Sequence, residues 1–159
     1  MPERILKGIC WHLNQSLQNV RVFDRDADAF FKDVHELNQY MDTVFLKRYL
    51  YTRIYIIVNI GRAIYSDKQE LLEIPIPTTP RKILEAISTV YQRSVTEDYV
   101  NTLVEVDGGH CEENSEALQM LKDGGDVRCH HLQGGLLFFE GLKLVNCDSG
   151  NTYELRIGS

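Results

Sequence analysis

The sequence has no long hydrophobic run. Its most apolar stretch, Ile54 to Ile60, is bounded by Arg53 and Arg62 and falls far short of the ~20 residues that a membrane-spanning helix needs. No membrane span is therefore expected. A disulfide framework is missing as well. The four cysteines, Cys10, Cys111, Cys129 and Cys147, are dispersed without a C-x2-C pair, and Met1 to Gly8 holds no apolar leader. They read as reduced thiols in an intracellular protein rather than as bridges. Catalytic signatures are also lacking: there is no G-x-S-x-G, P-loop, G-x-G-x-x-G or H-E-x-x-H pattern. The glycine pairs at 108–109, 124–125 and 134–135 sit at predicted turns, where backbone geometry explains them without a phosphate.

What is present is ordinary globular material, with 43% apolar and 25% charged residues. A chain of 159 residues fits one domain, 1–159, and needs neither disulfide nor metal to fold. The charge is uneven. Residues 1–70 carry a net +1 and residues 71–159 a net −7. The excess lies between residues 97 and 126, where Glu97, Asp98, Glu105, Asp107, Glu112, Glu113, Glu116, Asp123 and Asp126 face a single base, Lys122. Such a surface repels phosphate, so duplex DNA is not expected to bind it. It is either a solvated face or a docking surface for a basic protein partner.

Periodicity gives the expected elements. Ile5, Ile9, Leu13 and Leu17 recur every four residues, which predicts an amphipathic helix over 5–20 containing Trp11. A second, long helix is expected from a cap at Asp24 or Asp26 to about Tyr49, with Phe30, Val34, Leu37, Met41, Val44 and Phe45 as its stripe. At 53–60 strand and buried helix compete, and the continuation to Tyr65 tips the reading towards helix. Residues 71–76 read as a short extended piece that Pro75 and Pro77 exclude from a sheet centre. Residues 75–80 form a rigid joint between two sub-units, 1–74 and 81–159. Thr79-Pro80 opens one helix, Thr96 a second, and Asn114 or Ser115 a third that ends at Gly124-Gly125. Strands are expected at 126–133, 135–140, 142–146 and 152–157, with a turn at 148–151. The fold class is α+β: a helical N-terminal half packed with a C-terminal unit of three helices and antiparallel β-hairpins, winged-helix-like in order.

Three constellations bear on chemistry. His110, Cys111, Cys129, His131 and Cys147 carry zinc-type donors, but adjacent strand residues point to opposite faces and no H-x3-H pair exists. Their spacing argues against a preformed metal site, and no cofactor is expected. Cys111 with His130 or His131 would make a nucleophile pair only with an orienting group that sequence does not show. The strip 47–55 interleaves Lys47, Arg48 and Arg53 with Tyr49, Tyr51 and Tyr55. It is the one nucleic-acid contact the chain offers, or else one amphipathic helix whose rings line the core.

The stretch Ile74-Pro75-Ile76-Pro77-Thr78-Thr79-Pro80-Arg81-Lys82-Ile83-Leu84-Glu85-Ala86-Ile87, with Leu137-Phe138-Phe139-Glu140-Gly141-Leu142 and the ending Tyr153-Glu154-Leu155-Arg156-Ile157-Gly158-Ser159, resembles small proteins of large eukaryotic DNA viruses, in particular short early proteins of iridoviruses. The resemblance covers roughly the second half of the chain and carries no catalytic motif. It implies a host cytoplasmic or nuclear setting and a regulatory or host-interaction role.

The expectation is therefore a non-enzymatic protein–protein interaction module. Its docking residues would be Glu97, Asp98, Glu112, Glu113 and Glu116, and self-association as a homodimer through apolar N-terminal helices is a corollary. The alternatives are a nucleic-acid-associated regulator using Lys47, Arg48 and Arg53, and a small zinc- or thiol-dependent enzyme.

Overall fold

The computed structural model describes residues 2–46, 50–61, 68–145 and 150–158. Its centre is a five-stranded sheet with the order β1-β7-β8-β5-β6. These strands are β1 (Arg4–Ile5), β5 (Arg53–Asn59), β6 (Gln69–Pro75), β7 (Phe138–Leu144) and β8 (Thr152–Gly158). All neighbours are antiparallel except β5 and β8, which run parallel. A small antiparallel sheet joins β2 (Ile9–Cys10), β3 (Arg21–Asp24) and β4 (Ala29–Phe30). Four α-helices, α1 (Val34–Met41), α2 (Pro80–Tyr91), α3 (Glu97–Asp107) and α4 (Glu112–Lys122), and two 3-10 turns, Leu17–Asn19 and Cys129–Gln133, complete the described elements. None is long and apolar enough to cross a membrane.

The helical N-terminal half expected from the sequence is overturned: that half is mostly strands. The reason is arithmetic. A spacing of four residues fits a helix, but four is also a multiple of two, the strand period. Trp11 decides between them. It lies midway between Ile9 and Leu13, and all three are buried while His12 is exposed. On a helix Trp11 would face away from Ile9. Here the segment runs alongside β7, with Phe139 N–H donating to Trp11 O (2.9 Å) and Leu13 N–H to Leu137 O (2.8 Å).

The second expected helix shrinks to α1. Asp33, not Asp24 or Asp26, caps it, its carboxylate accepting from His35 N–H at 2.8 Å. Asp24 instead accepts from Asp26 N–H (3.1 Å) in the β3–β4 turn. Phe30 pairs across that hairpin with Phe23, ring edge to face at 5.5 Å, an aromatic cross-strand pair that outweighs the helical stripe. Residues 53–59 likewise form strand, not helix. Ile54, Ile56 and Val58 point into the core while Tyr55, Ile57 and Asn59 are only partly covered. The proposed continuation to Tyr65 falls on residues 62–67, outside the described residues.

Downstream, the predicted helices are present. Thr79 Oγ1 accepts from Lys82 N–H (3.2 Å) and Thr96 Oγ1 from Tyr99 N–H (3.1 Å), the capping geometry their positions call for. The third helix begins at Glu112, two residues earlier than expected. Residues 126–133 are not a strand: Cys129–Gln133 is a 3-10 turn. The strands expected at 135–140 and 142–146 are one strand, β7, with a bulge between Phe139 and Leu142. The bulge places Gly141 at φ 97°, where a Cβ would stand 3.0 Å from Ile5 O, so only glycine fits.

The hairpin β7–β8 is no peripheral wing. It is flanked by β1 and β5, so strands from both sides of residues 75–80 share one sheet. α2 seals one face of that sheet with Ile83, Leu84, Ile87 and Tyr91, all fully buried. As expected for a strand ending in proline, β6 is an edge strand.

Candidate functional site

The acidic segment folds as an α3–α4 hairpin. α3 buries Val100 and Leu103; α4 buries Asn114 and Ala117. The acids fall on the opposite faces: Glu97, Asp98, Glu105, Glu112 and Glu116 are exposed. Glu97 and Asp98 occupy the first turn of α3, and Glu112 and Glu113 the first turn of α4. Carboxylates there meet the partial positive charge of the helix start and stabilise the helix itself. Glu105 and Glu116 have no such local role. None of the five exposed acids forms an ion pair among the described residues. The same hairpin exposes Val106 (62%) and Met120 (42%).

The junction between the two helices is held from inside. Asp107 accepts from Gly109 N–H (2.5 Å) and from Asn114 Nδ2 (2.8 Å), with both side chains buried. Glu113 is half-buried; it accepts from Cys111 Sγ at 3.4 Å and lies over Gly134. Glu113 is thus more a packing residue than a free docking charge.

The zinc-type residues are dispersed. His110 is exposed in the α3–α4 turn, Cys111 is buried just ahead of α4, Cys129 is buried in the 3-10 turn and His131 is exposed. Cys147 lies outside the described residues. Among the described residues no group of three or more His, Cys, Asp or Glu converges on a metal-sized site, and no hydrogen bond joins a cysteine to a histidine. His131 Nδ1 instead accepts from Arg128 N–H at 2.9 Å. His130 stacks on His131 with ring centres 4.1 Å apart, and burial lowers its pKa.

Cys129 borders a cleft of about 170 Å³ formed with Glu70, Arg93 and Tyr99. Sequence reading did not single out these three, because they come from β6, the end of α2 and α3, far apart along the chain. Arg93 Nη2 donates to Glu70 at 2.7 Å. Burial, aided by the nearby Cys129 and Glu70, raises the Tyr99 phenol to about 12 and raises that of Tyr91 as well. Burial also raises the Cys129 and Cys111 thiols, with Arg93 opposing it only partly at Cys129. These are protonated thiols rather than activated nucleophiles. Alkylation with iodoacetamide at pH 8, read cysteine by cysteine by mass spectrometry, is expected to modify half-buried Cys10 at least about tenfold faster than Cys111 or Cys129. Fastest reaction at Cys129 would instead mark the cleft as a reactive-thiol site.

Of the basic strip, Lys47 and Arg48 lie outside the described residues. Arg53 opens β5 and is ion-paired with Glu73 on β6. The strip is not one amphipathic helix, since Tyr55 and Arg53 belong to a strand. With the fold and these positions established, comparison of the chain with family models, with curated proteins and with solved structures finds no match.

Proposed function

We propose that this chain is a non-enzymatic protein-interaction module whose α3–α4 hairpin docks a basic, partly apolar segment of a partner protein. The observation that carries this reading is the set of five exposed carboxylates, Glu97, Asp98, Glu105, Glu112 and Glu116, that no base neutralises among the described residues. Val106 and Met120, exposed on the same helices, give such a segment apolar contacts. Charges of one sign focused on one face raise encounter rates with an opposite partner and reject nucleic acid. A regulatory, host-directed role for the module, which the iridoviral resemblance implies, is part of the proposal.

A synthetic peptide alternating Arg and Leu, titrated into the isotope-labelled protein, tests the proposal. Amide shifts should concentrate on α3 and α4. The pair Glu105→Lys and Glu116→Lys should weaken binding at least about tenfold with no change in thermal midpoint, because neither residue supports a helix start. Shifts spread over the whole surface, or unchanged affinity in the double variant, would refute it.

A further inference from the structure

The sheet contains one parallel pair, and that pair opens at its carboxyl end. Asn151 fastens the amino end: its Nδ2 donates to Arg53 O (3.1 Å), and its own carbonyl accepts from Tyr55 N–H (3.0 Å). The register then runs Tyr55↔Thr152, Ile56↔Tyr153 and Ile57↔Glu154 and stops. Beyond it β5 continues to Asn59 paired with β6 alone, and β8 to Gly158 paired with β7 alone. A crevice opens beyond the point where the two strands part. Here it holds about 200 Å³.

Its floor is Gln133, which is fully buried (0%). The Gln133 Nε2 donates to Asn59 O (3.4 Å), a carbonyl that also accepts the Tyr91 hydroxyl at 2.8 Å. With Nε2 turned to this carbonyl, the oxygen Oε1 is the atom left over. Oε1 is buried and has no hydrogen-bond partner. An unmet buried acceptor costs on the order of 1–3 kcal/mol, and such groups are rare unless something answers them.

The remaining walls say what would answer it. Glu154 is joined to Arg156 at 3.0 Å, while Glu140 has no ion pair among the described residues. Glu140 sits in the β7 bulge, and its carboxylate folds over Gly158, where any side chain would collide with it. The crevice therefore carries one carboxylate without an ion pair among the described residues, and the unmet Gln133 acceptor lies buried beneath its lining. Leu136, Leu155 and Ile157 supply an apolar wall. The space is below the roughly 300–1,000 Å³ of sites for drug-sized molecules, so a nucleotide does not fit.

We infer that the crevice between the parting ends of β5 and β8 binds a short alkyl cation bearing several N–H donors, a guanidinium or primary ammonium, with Gln133 Oε1 and Glu140 as its acceptors. The cation is either a free small molecule or a basic side chain of a partner.

The test titrates n-butylguanidinium, n-butylammonium and the neutral n-butylurea into the isotope-labelled full chain. Saturable amide shifts at Asn59, Gln133, Leu155 and Ile157 are expected for the two cations, with the urea at least about tenfold weaker. Glu140→Gln should weaken the cations about tenfold and leave the urea unchanged. Gln133→Leu should abolish binding while holding or raising the thermal midpoint, since it removes the unmet acceptor. No saturable shift at these amides, or equal binding of the urea, or an unaffected Glu140→Gln variant, overturns the inference. A blocked arginine amide separates the sources: tighter binding than n-butylguanidinium points to a side chain, and weaker binding to a free cation. Glu105→Lys with Glu116→Lys should leave crevice binding intact, so this test and that of the docking face fail separately.

Discussion

Replacing Trp11 with Ala is expected to cost about 3–5 kcal/mol of folding free energy, which leaves a domain of ordinary stability barely folded. Trp11 is 1% exposed, its ring lies 6.1 Å from that of Phe139, and its Nε1 donates to Gln15 O at 3.1 Å. Its own carbonyl accepts Phe139 N–H. The side chain thus fastens the N-terminal segment to the flank of β7, beside the bulge that orients Glu140. Urea denaturation followed by far-ultraviolet circular dichroism measures the loss, with Trp11→Phe as the volume-sparing control expected to cost less than half as much. An alanine variant within about 1 kcal/mol of the parent would mean that residues 9–13 do not pack as described.

That variant also probes the largest difference between what the sequence implied and how the chain folds. Strand was harder to recognise than helix in the N-terminal half because its apolar residues come at both four-residue and two-residue intervals. The sheet that resolves the ambiguity is built from residues 97 or more positions away: β1 and the Trp11 segment need β7, and β5 needs β8. No window along the chain contains that information. Helices α2 and α3 were legible because their signals are local: a capping threonine followed by proline or acids, then an apolar face closed within each element. The final strand was legible for the same reason, since Tyr153, Leu155 and Ile157 alternate cleanly with polar residues.

The site follows the same rule. The acidic run of α3 and α4 is contiguous in sequence, so its spread over two successive helices was anticipated but not their packing as a hairpin, and Glu113 turned inward to Cys111 and Gly134. The crevice was invisible. Gln133 and Glu140 belong to no motif, and Gln133 was assigned to a strand rather than to a 3-10 turn. Their importance arises from β5 and β8 separating around them.

The second large effect is expected at the junction that shapes the acidic face. Asn114→Asp would set a second carboxyl 2.8 Å from Asp107, where the amide nitrogen now donates, with the two residues 1% and 8% exposed. Two carboxylates that close in a buried place cannot both ionise, so the folded variant keeps a shared proton. In the unfolded chain both groups titrate near ~4. Above that pH the folded state binds more protons than the unfolded one. The variant's stability relative to the parent therefore falls as pH rises from ~4 through the raised pKa of the pair, and levels off beyond it. The expected deficit is small at pH ~4 and about 3–5 kcal/mol at neutral pH, the scale of an uncompensated buried charge. Asn114→Leu separates charge from shape: it removes the donor, costs about 1–3 kcal/mol and adds no pH slope of its own. Urea titrations of the three proteins at acid and neutral pH make the comparison. Equal losses for Asn114→Asp at both ends would show that residues 107 and 114 do not face each other. The hairpin would then present its acids from a geometry other than the one on which docking depends.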